Sequence, residues 1–170
     1  MRTIFSQYSQ KNKRTVRHGE TFTEGYASAL HNLGGSYWEQ GNYAEARRCL
    51  EQALRIDEQI CGEESIHFAS GLNALGVVAI EMGDYGAALP LYERALAIRE
   101  RVLGAEHPNA ATSLNNLAIN HYYQGDLVTA ERLMSRAIQI YEARLGADHP
   151  DTQRSRRSLA AIRERMEEGV

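Results

Sequence analysis

Long apolar runs, cysteine, proline and a dominant charge are all scarce in this 170-residue chain, and each scarcity excludes something. No apolar run approaches the roughly 20 residues that cross a bilayer as a helix. The opening MRTIFSQYSQ has neither an apolar signal core nor a lipidation pattern. The two cysteines, Cys49 and Cys61, would lie about 18 Å apart on one helix, too far for a disulfide. Two reduced thiols in a cytoplasmic protein are the expectation. Three prolines leave room for long helices. The 19 basic and 22 acidic residues nearly cancel, giving a net charge of −3. That balance points away from nucleic acid and from an anionic membrane as partner. There is no Gly-rich phosphate loop, no metal-spaced Cys/His cluster and no nucleophile-elbow motif. His31 and His121 stand isolated, with no convergent acid–base pair in view. The chain is therefore not expected to be an enzyme or to carry a cofactor or metal.

What is present is a repeat. Gly41, Gly83 and Gly125 are spaced by 42 residues, as are Leu33, Leu75 and Leu117. Ala46, Ala88 and Ala130 keep the same interval, and so do Ala53, Ala95 and Ala137. Gly62, Gly104 and Gly146 close each unit. Each unit holds two patterns of helical period. In the first, Ala27, Leu30, Leu33, Gly34 and Tyr37 recur at three and four residues. In the second, Tyr43, Ala46, Leu50, Ala53 and Leu54 do the same. The turns QGN, MGD and QGD between them supply a left-handed Gly and an Asn or Asp ready to cap the next helix. The small residues predict close approach of the paired helices. Gly34 and Gly76, each costing about 1 kcal/mol against Ala in a helix, are offset by that approach.

Seven helices are predicted, at 24–40, 43–60, 66–82, 85–102, 108–124, 127–144 and 150–167. Pro108 and Pro150 start two of them, and His107 and His149 just before read as turn residues that cap a helix start. Ile66 stands where the other junctions have proline, so that start is expected to be less sharply defined. Pro90 lies in the early turns of its helix and should bend it without breaking it. The units run 24–65, 66–107 and 108–149. Residues 150–167 form a capping helix whose exposed side carries Arg154, Arg156, Arg157, Arg163, Glu164 and Arg165. Residues 1–23, with five basic residues and one acid, read as a basic arm, a mobile terminus or a remnant helix.

These residues resemble the tetratricopeptide repeat. The matching positions are Leu33-Gly34-x-x-Tyr37, Ala46, Leu50 and Ala53; then Leu75-Gly76, Ala88, Tyr92 and Ala95; then Leu117-Ala118, Ala130, Met134 and Ala137. The period exceeds the common one of about 34 residues. Glu58, Glu100 and Glu142 stand where proline usually ends the second helix. The 42-residue variant, with LNNLA and YERALAIRERVLG…HP, is similar to the kinesin-light-chain and nephrocystin type over residues 24–167. The resemblance implies an all-α, right-handed solenoid of antiparallel helix pairs, about three units plus the C-terminal cap.

It also implies that first helices line the concave side and second helices the convex side. Inward rows then follow by register: Ser28, Ser70, Thr112, Arg154; His31, Asn73, Asn115, Arg157; Asn32, Ala74, Asn116, Ser158; and Trp38, Ile80, Tyr122, with Tyr123 beside the last. The candidate groove residues are His31, Asn32, Trp38, Asn73, Asn115, Asn116, Tyr122, Tyr123, Arg154 and Arg157. Asn is a poor residue for a helix interior, so the adjacent Asn115 and Asn116 need a reason. A carboxamide both donates and accepts, and could hold an extended peptide backbone. Asn116 could instead bridge neighbouring helices. On the first reading, Asn73 and Asn115 are dispensable for stability. Trp38, Tyr122 and Tyr123 would add amphipathic contact area. The first three units put no lysine or arginine in these rows, so a C-terminal carboxylate clamp is not expected, and acidic segments fit only towards Arg154 and Arg157. The expected function is a protein–protein interaction module that binds an extended peptide of a partner protein in its concave groove. The alternative is a structural scaffold, a homo-oligomer built through terminal repeats or the N-terminal arm.

Overall fold

The computed structural model describes residues 16–169, with side chains from 25 onward. Among the described residues seven helices follow one another: α1 Val16–Glu39, α2 Tyr43–Cys61, α3 Ile66–Glu81, α4 Tyr85–Leu103, α5 Pro108–Gln124, α6 Leu127–Leu145 and α7 Pro150–Glu167. No strand occurs among the described residues. Each helix packs on the one before and the one after, and α3 also touches α5. The chain is thus an α-solenoid of antiparallel pairs, α1/α2, α3/α4 and α5/α6, followed by the single helix α7. The arm expected over 1–23 lies mostly outside the described residues. The last part of it, from Val16, belongs to α1.

The turns follow from their residues. Gly41, Gly83 and Gly125 have φ of 74°, 76° and 84°, a region that only glycine enters at no steric cost. Asp84 and Asp126 accept hydrogen bonds from the N–H groups of Ala87 and Thr129. Asn42, expected to do the same, makes no side-chain cap bond. His107 and His149 cap through Nδ1, which accepts from the N–H of Asn109 at 3.0 Å and of Asp151 at 3.2 Å. The junction without proline is no less sharp. Ser65 Oγ accepts from the Phe68 N–H at 3.1 Å, and α3 begins at Ile66. Helix α4 runs through Pro90 unbroken.

The core repeats with the sequence. Ala46, Ala53, Ala88, Ala95, Ala130 and Ala137 are all wholly buried. At Gly34 a Cβ would stand 2.8 Å from Leu50 Cγ, and at Gly76 2.5 Å from the Tyr92 ring. The two glycines therefore mark where α1 meets α2 and α3 meets α4 too closely for any side chain. Between units, Leu75 packs on Ala46 and Leu50 of α2, and Leu117 on Ala88 and Tyr92 of α4. Leu33 holds the same register but is 45% exposed. No described helix precedes α1 to cover it.

Helix α7 explains how the stacking stops. The positions that face the partner helix in α1, α3 and α5 are Ala27, Ala69 and Ala111, then Leu30, Leu72 and Leu114, all buried. In α7 the same positions are Gln153 and Arg156. Gln153 donates to the Ala147 carbonyl at 2.6 Å, and Arg156 pairs with Glu142 at 2.6 Å. An apolar face has become a polar one that binds back to its own chain.

Candidate functional site

The predicted groove residues fall into three neighbourhoods on the first helices. The central one is a row of amides. Asn116 donates from Nδ2 to Asn73 Oδ1 at 2.8 Å, linking α5 to α3. Asn115 Nδ2 donates to Asn116 Oδ1 at 3.4 Å, and Ser155 Oγ donates to Asn115 Oδ1 at 3.0 Å, linking α5 to α7. The row crosses three successive first helices without a break. All three asparagines are half-buried. Asn73 Nδ2 has no hydrogen bond within the described residues, so its two N–H groups remain available.

The second neighbourhood lies between α1 and α3. Asn32 and Trp38 border a cleft of about 300 Å³ whose floor includes Gly35, Ala74 and Val77. Trp38 is exposed. His31 sits at its edge but is engaged: Nε2 lies 2.8 Å from Oδ2 of the buried Asp57 in α2. A second histidine, His121, lies 3.2 Å from Asp126. The isolation expected for both histidines is thus corrected. The spacing of 26 residues between His31 and Asp57 crosses a turn, so no single-helix pattern shows it.

The third neighbourhood lies between α5 and α7. Tyr122 and Tyr123 line a cleft of about 220 Å³ with Ile119, Met134, Ser158 and Ile162. Tyr123 stacks on Tyr85 with ring centres 5.2 Å apart and planes within 2°. Arg165 covers the Tyr122 ring at 4.8 Å and donates to the Tyr122 carbonyl. The Trp38 cleft and the tyrosine cleft are separate and share no lining residue. Arg154 is exposed and pairs with Asp151 at 3.5 Å, while Arg157 is exposed and makes no ion pair within the described residues.

Register arguments about first helices missed Arg99, which comes from the second helix α4. It is only 6% exposed. Its NH1 donates to Ser113 Oγ at 2.8 Å and to the Asn109 carbonyl at 3.2 Å, and its NH2 points at Ser70 Oγ, 3.5 Å away. Its Nε is buried and has no partner among the described residues. Burial lowers its pKa. Arg99 shares its register with Asp57 and Tyr141. All three reach from a second helix to a first, Asp57 to His31 and Tyr141 to Thr112 at 2.9 Å. The signal in the sequence was the mismatch of an acid, a base and a phenol at one otherwise buried position.

No group of three or more His, Cys, Asp or Glu side chains among the described residues could hold a metal ion. No described helix is long and apolar enough to cross a membrane.

Two family models, each described as tetratricopeptide repeat, match residues 27–67 and 67–143, more than half of the chain. The chain belongs to the tetratricopeptide repeat family. A search of curated protein sequences returns no match. Among solved structures, BtubC (BKLC) from P. vanneervenii superposes with a TM-score of 0.77 at 23% identity, over 91% of this chain and 59% of that one. Nearly identical TPR-like repeats of a kinesin-light-chain-type protein from Podosopora anserina give 0.73 at 26% identity, over 79% and 64%. The chain thus spans about three fifths of the length of these two. The first TPR of Spaghetti (RPAP3), bound to the HSP90 peptide SRMEEVD, gives 0.62 at 13% identity, over 85% and 95%. Tetratricopeptide repeats are protein–protein interaction modules, and proteins of this fold are generally non-enzymatic scaffolds.

Proposed function

We propose that this chain binds an extended segment of a partner protein along the face of α1, α3, α5 and α7, which the family places on the concave side. The observation that carries this reading is the amide row. It crosses three first helices, and its end at Asn73 keeps two N–H donors for a peptide carbonyl. The separate Trp38 and tyrosine clefts offer apolar seats for two separated side chains of one segment. The peptide held by the RPAP3 repeat domain lends the reading support by fold analogy alone. The cytoplasm is the compartment this reading assumes.

Self-association through the C-terminal end has less support, because Gln153 and Arg156 fill the face that a further helix would need. Sedimentation at tens of micromolar checks it, and a monomer argues against the scaffold.

The test of the main reading is selection of a phage-displayed random dodecapeptide library on the wild-type chain. Binders are then titrated against the double variant Asn73→Ala/Asn115→Ala, and against Trp38→Ala and Tyr123→Ala. Lost hydrogen bonds in a desolvated groove cost about 1–3 kcal/mol each, so the double variant should weaken binding roughly 10-fold to several hundred-fold. Circular dichroism confirms that each variant is folded. Binders indifferent to all three variants would remove the groove as the site.

A further inference from the structure

We propose that Arg99, with Ser70, Thr112, Tyr141 and Arg154 around it, is a receptor for a carboxylate of the bound partner segment. The proposal deepens the groove reading and rests on it.

The argument begins with an unmet charge. Arginine is seldom buried unless a carboxylate accompanies it. Arg99 is buried, yet every acceptor it has is neutral: one carbonyl and two hydroxyls. Among the described residues none of its contacts is a carboxylate, and Tyr141 is the one titratable group that acts on it. A guanidinium offers five N–H donors in a planar fork suited to two carboxylate oxygens. Here Nε is buried with no partner among the described residues, and NH2, the nitrogen turned towards Ser70, has a single contact at the 3.5 Å limit.

That weak contact fixes the side of approach. Ser70 is exposed and stands in the first row of the predicted groove. Thr112 and Arg154 are its register partners. The Tyr141 hydroxyl lies 2.9 Å from Thr112 Oγ1 and feels the charges of both Arg99 and Arg154. The cluster therefore joins two guanidiniums and three hydroxyls. Its one acid is Asp151, which pairs with Arg154 at 3.5 Å and leaves the Arg99 charge unanswered. A carboxylate entering over Ser70 would replace a marginal hydrogen bond with charge-assisted ones. Arg99 comes from the second helix α4, while Ser70, Thr112 and Arg154 come from the first-helix positions of α3, α5 and α7.

The test uses the full chain and five probes, with the arginine Nε–H signals followed by nuclear magnetic resonance. Two probes carry carboxylates: acetyl-AAEAA-amide as an internal glutamate, and acetyl-AAAAA with a free C-terminal acid. Acetyl-AAQAA-amide and acetyl-AAAAA-amide are the neutral twins, and sodium phosphate is the fifth. Arg99→Lys, which keeps the charge, assigns the Arg99 signal by its disappearance. The expected result is a saturable shift of the Arg99 Nε–H with a carboxylate probe and none with its twin. The acid that shifts it at the lower concentration identifies the source as side chain or terminus. Arg154→Gln should weaken that response about 10-fold, the loss of one charge-assisted bond. No saturable shift, or an equal shift with the twins, overturns the receptor. A tighter response to phosphate than to either acid overturns carboxylate as its ligand. If the asparagine variants abolish dodecapeptide binding while Arg99 ignores every carboxylate, the groove stands and the receptor falls. The opposite pattern keeps the receptor and removes the groove.

Discussion

Asn116 Nδ2 donates to Asn73 Oδ1 across 2.8 Å, so one carboxamide of a first helix is committed to its neighbour before any partner arrives. This decides a question the sequence left open, because the bridging role is present whether or not the row also holds a peptide. It also revises the expectation that Asn73 and Asn115 are dispensable for stability. Asn116→Ala loses a half-buried hydrogen bond worth about 0.5–1.5 kcal/mol net, against a gain of about 0.5 kcal/mol in helix propensity. It should lower the melting temperature by a few degrees. Asn73→Ala should do the same, and a double-mutant cycle between them should show coupling. Additive effects would mean that the bond contributes nothing in solution.

Two glycines of the same kind of helix should respond to alanine with opposite sign. Nothing stands within 4 Å of a Cβ added at Gly35, so Gly35→Ala should stabilise by about 0.5–1 kcal/mol. A Cβ at Gly76 meets three atoms of the Tyr92 ring between 2.5 and 2.9 Å, and that ring is 2% exposed. Its neighbours leave it nowhere to retreat. Gly76→Ala should destabilise by about 1–3 kcal/mol through overpacking. Equal melting temperatures in the two variants would refute the helix contact.

The fold was legible because the same physical demand recurs every 42 residues. Gly at each turn, Ala at each close contact and Pro or Ser at each junction between units repeat their reasons, so helix boundaries fall within one or two residues of those expected. Only α1 differs more, starting at Val16 where the periodic pattern begins at 24. The candidate site was legible in part. Asn73, Asn115 and Asn116 stood out because asparagine is costly inside a helix. His31–Asp57 and Arg99–Ser113 did not, because each joins a second helix to a first at a position where the repeat varies. Periodicity reports what the units share, and these contacts are what each unit does differently.

Acid should loosen the start of α6. Hydrogen bonding to Thr129 lowers the Asp126 pKa, and His121 nearby adds to this. A carboxylate with a depressed folded pKa contributes stability that is present above its unfolded value. That stability is lost as pH falls through the folded value. Asparagine caps a helix about as well as aspartate but carries no charge for the helix dipole. The wild type should therefore melt above Asp126→Asn near neutrality, and the gap should close as the pH drops below about 4. Melting curves of the two proteins across that range check it. A gap that persists at low pH would show that the difference is not electrostatic.

His31 was expected to touch a peptide; it lines the edge of the Trp38 cleft, and its bond to Asp57 gives it a supporting role in the fold as well. The ring is held between α1 and α2 by Asp57 and backed by α3, where a Cβ at Gly71 would lie 3.3 Å from His31 Cε1. Asp57 is 6% exposed, so removing the imidazole leaves a nearly buried carboxylate with no replacement. His31→Ala should destabilise by about 1–3 kcal/mol. Adding Asp57→Ala to it should cost less than the two single losses combined, because the second change removes the stranded group. Asn32 is one residue away, exposed, and open to the Trp38 cleft. Asn32→Ala should then reduce peptide binding without lowering the melting temperature, while His31→Ala lowers the melting temperature first. Titration and melting of both variants separate contact from support. A His31→Ala protein as stable as the wild type, yet unable to bind, would return His31 to the groove.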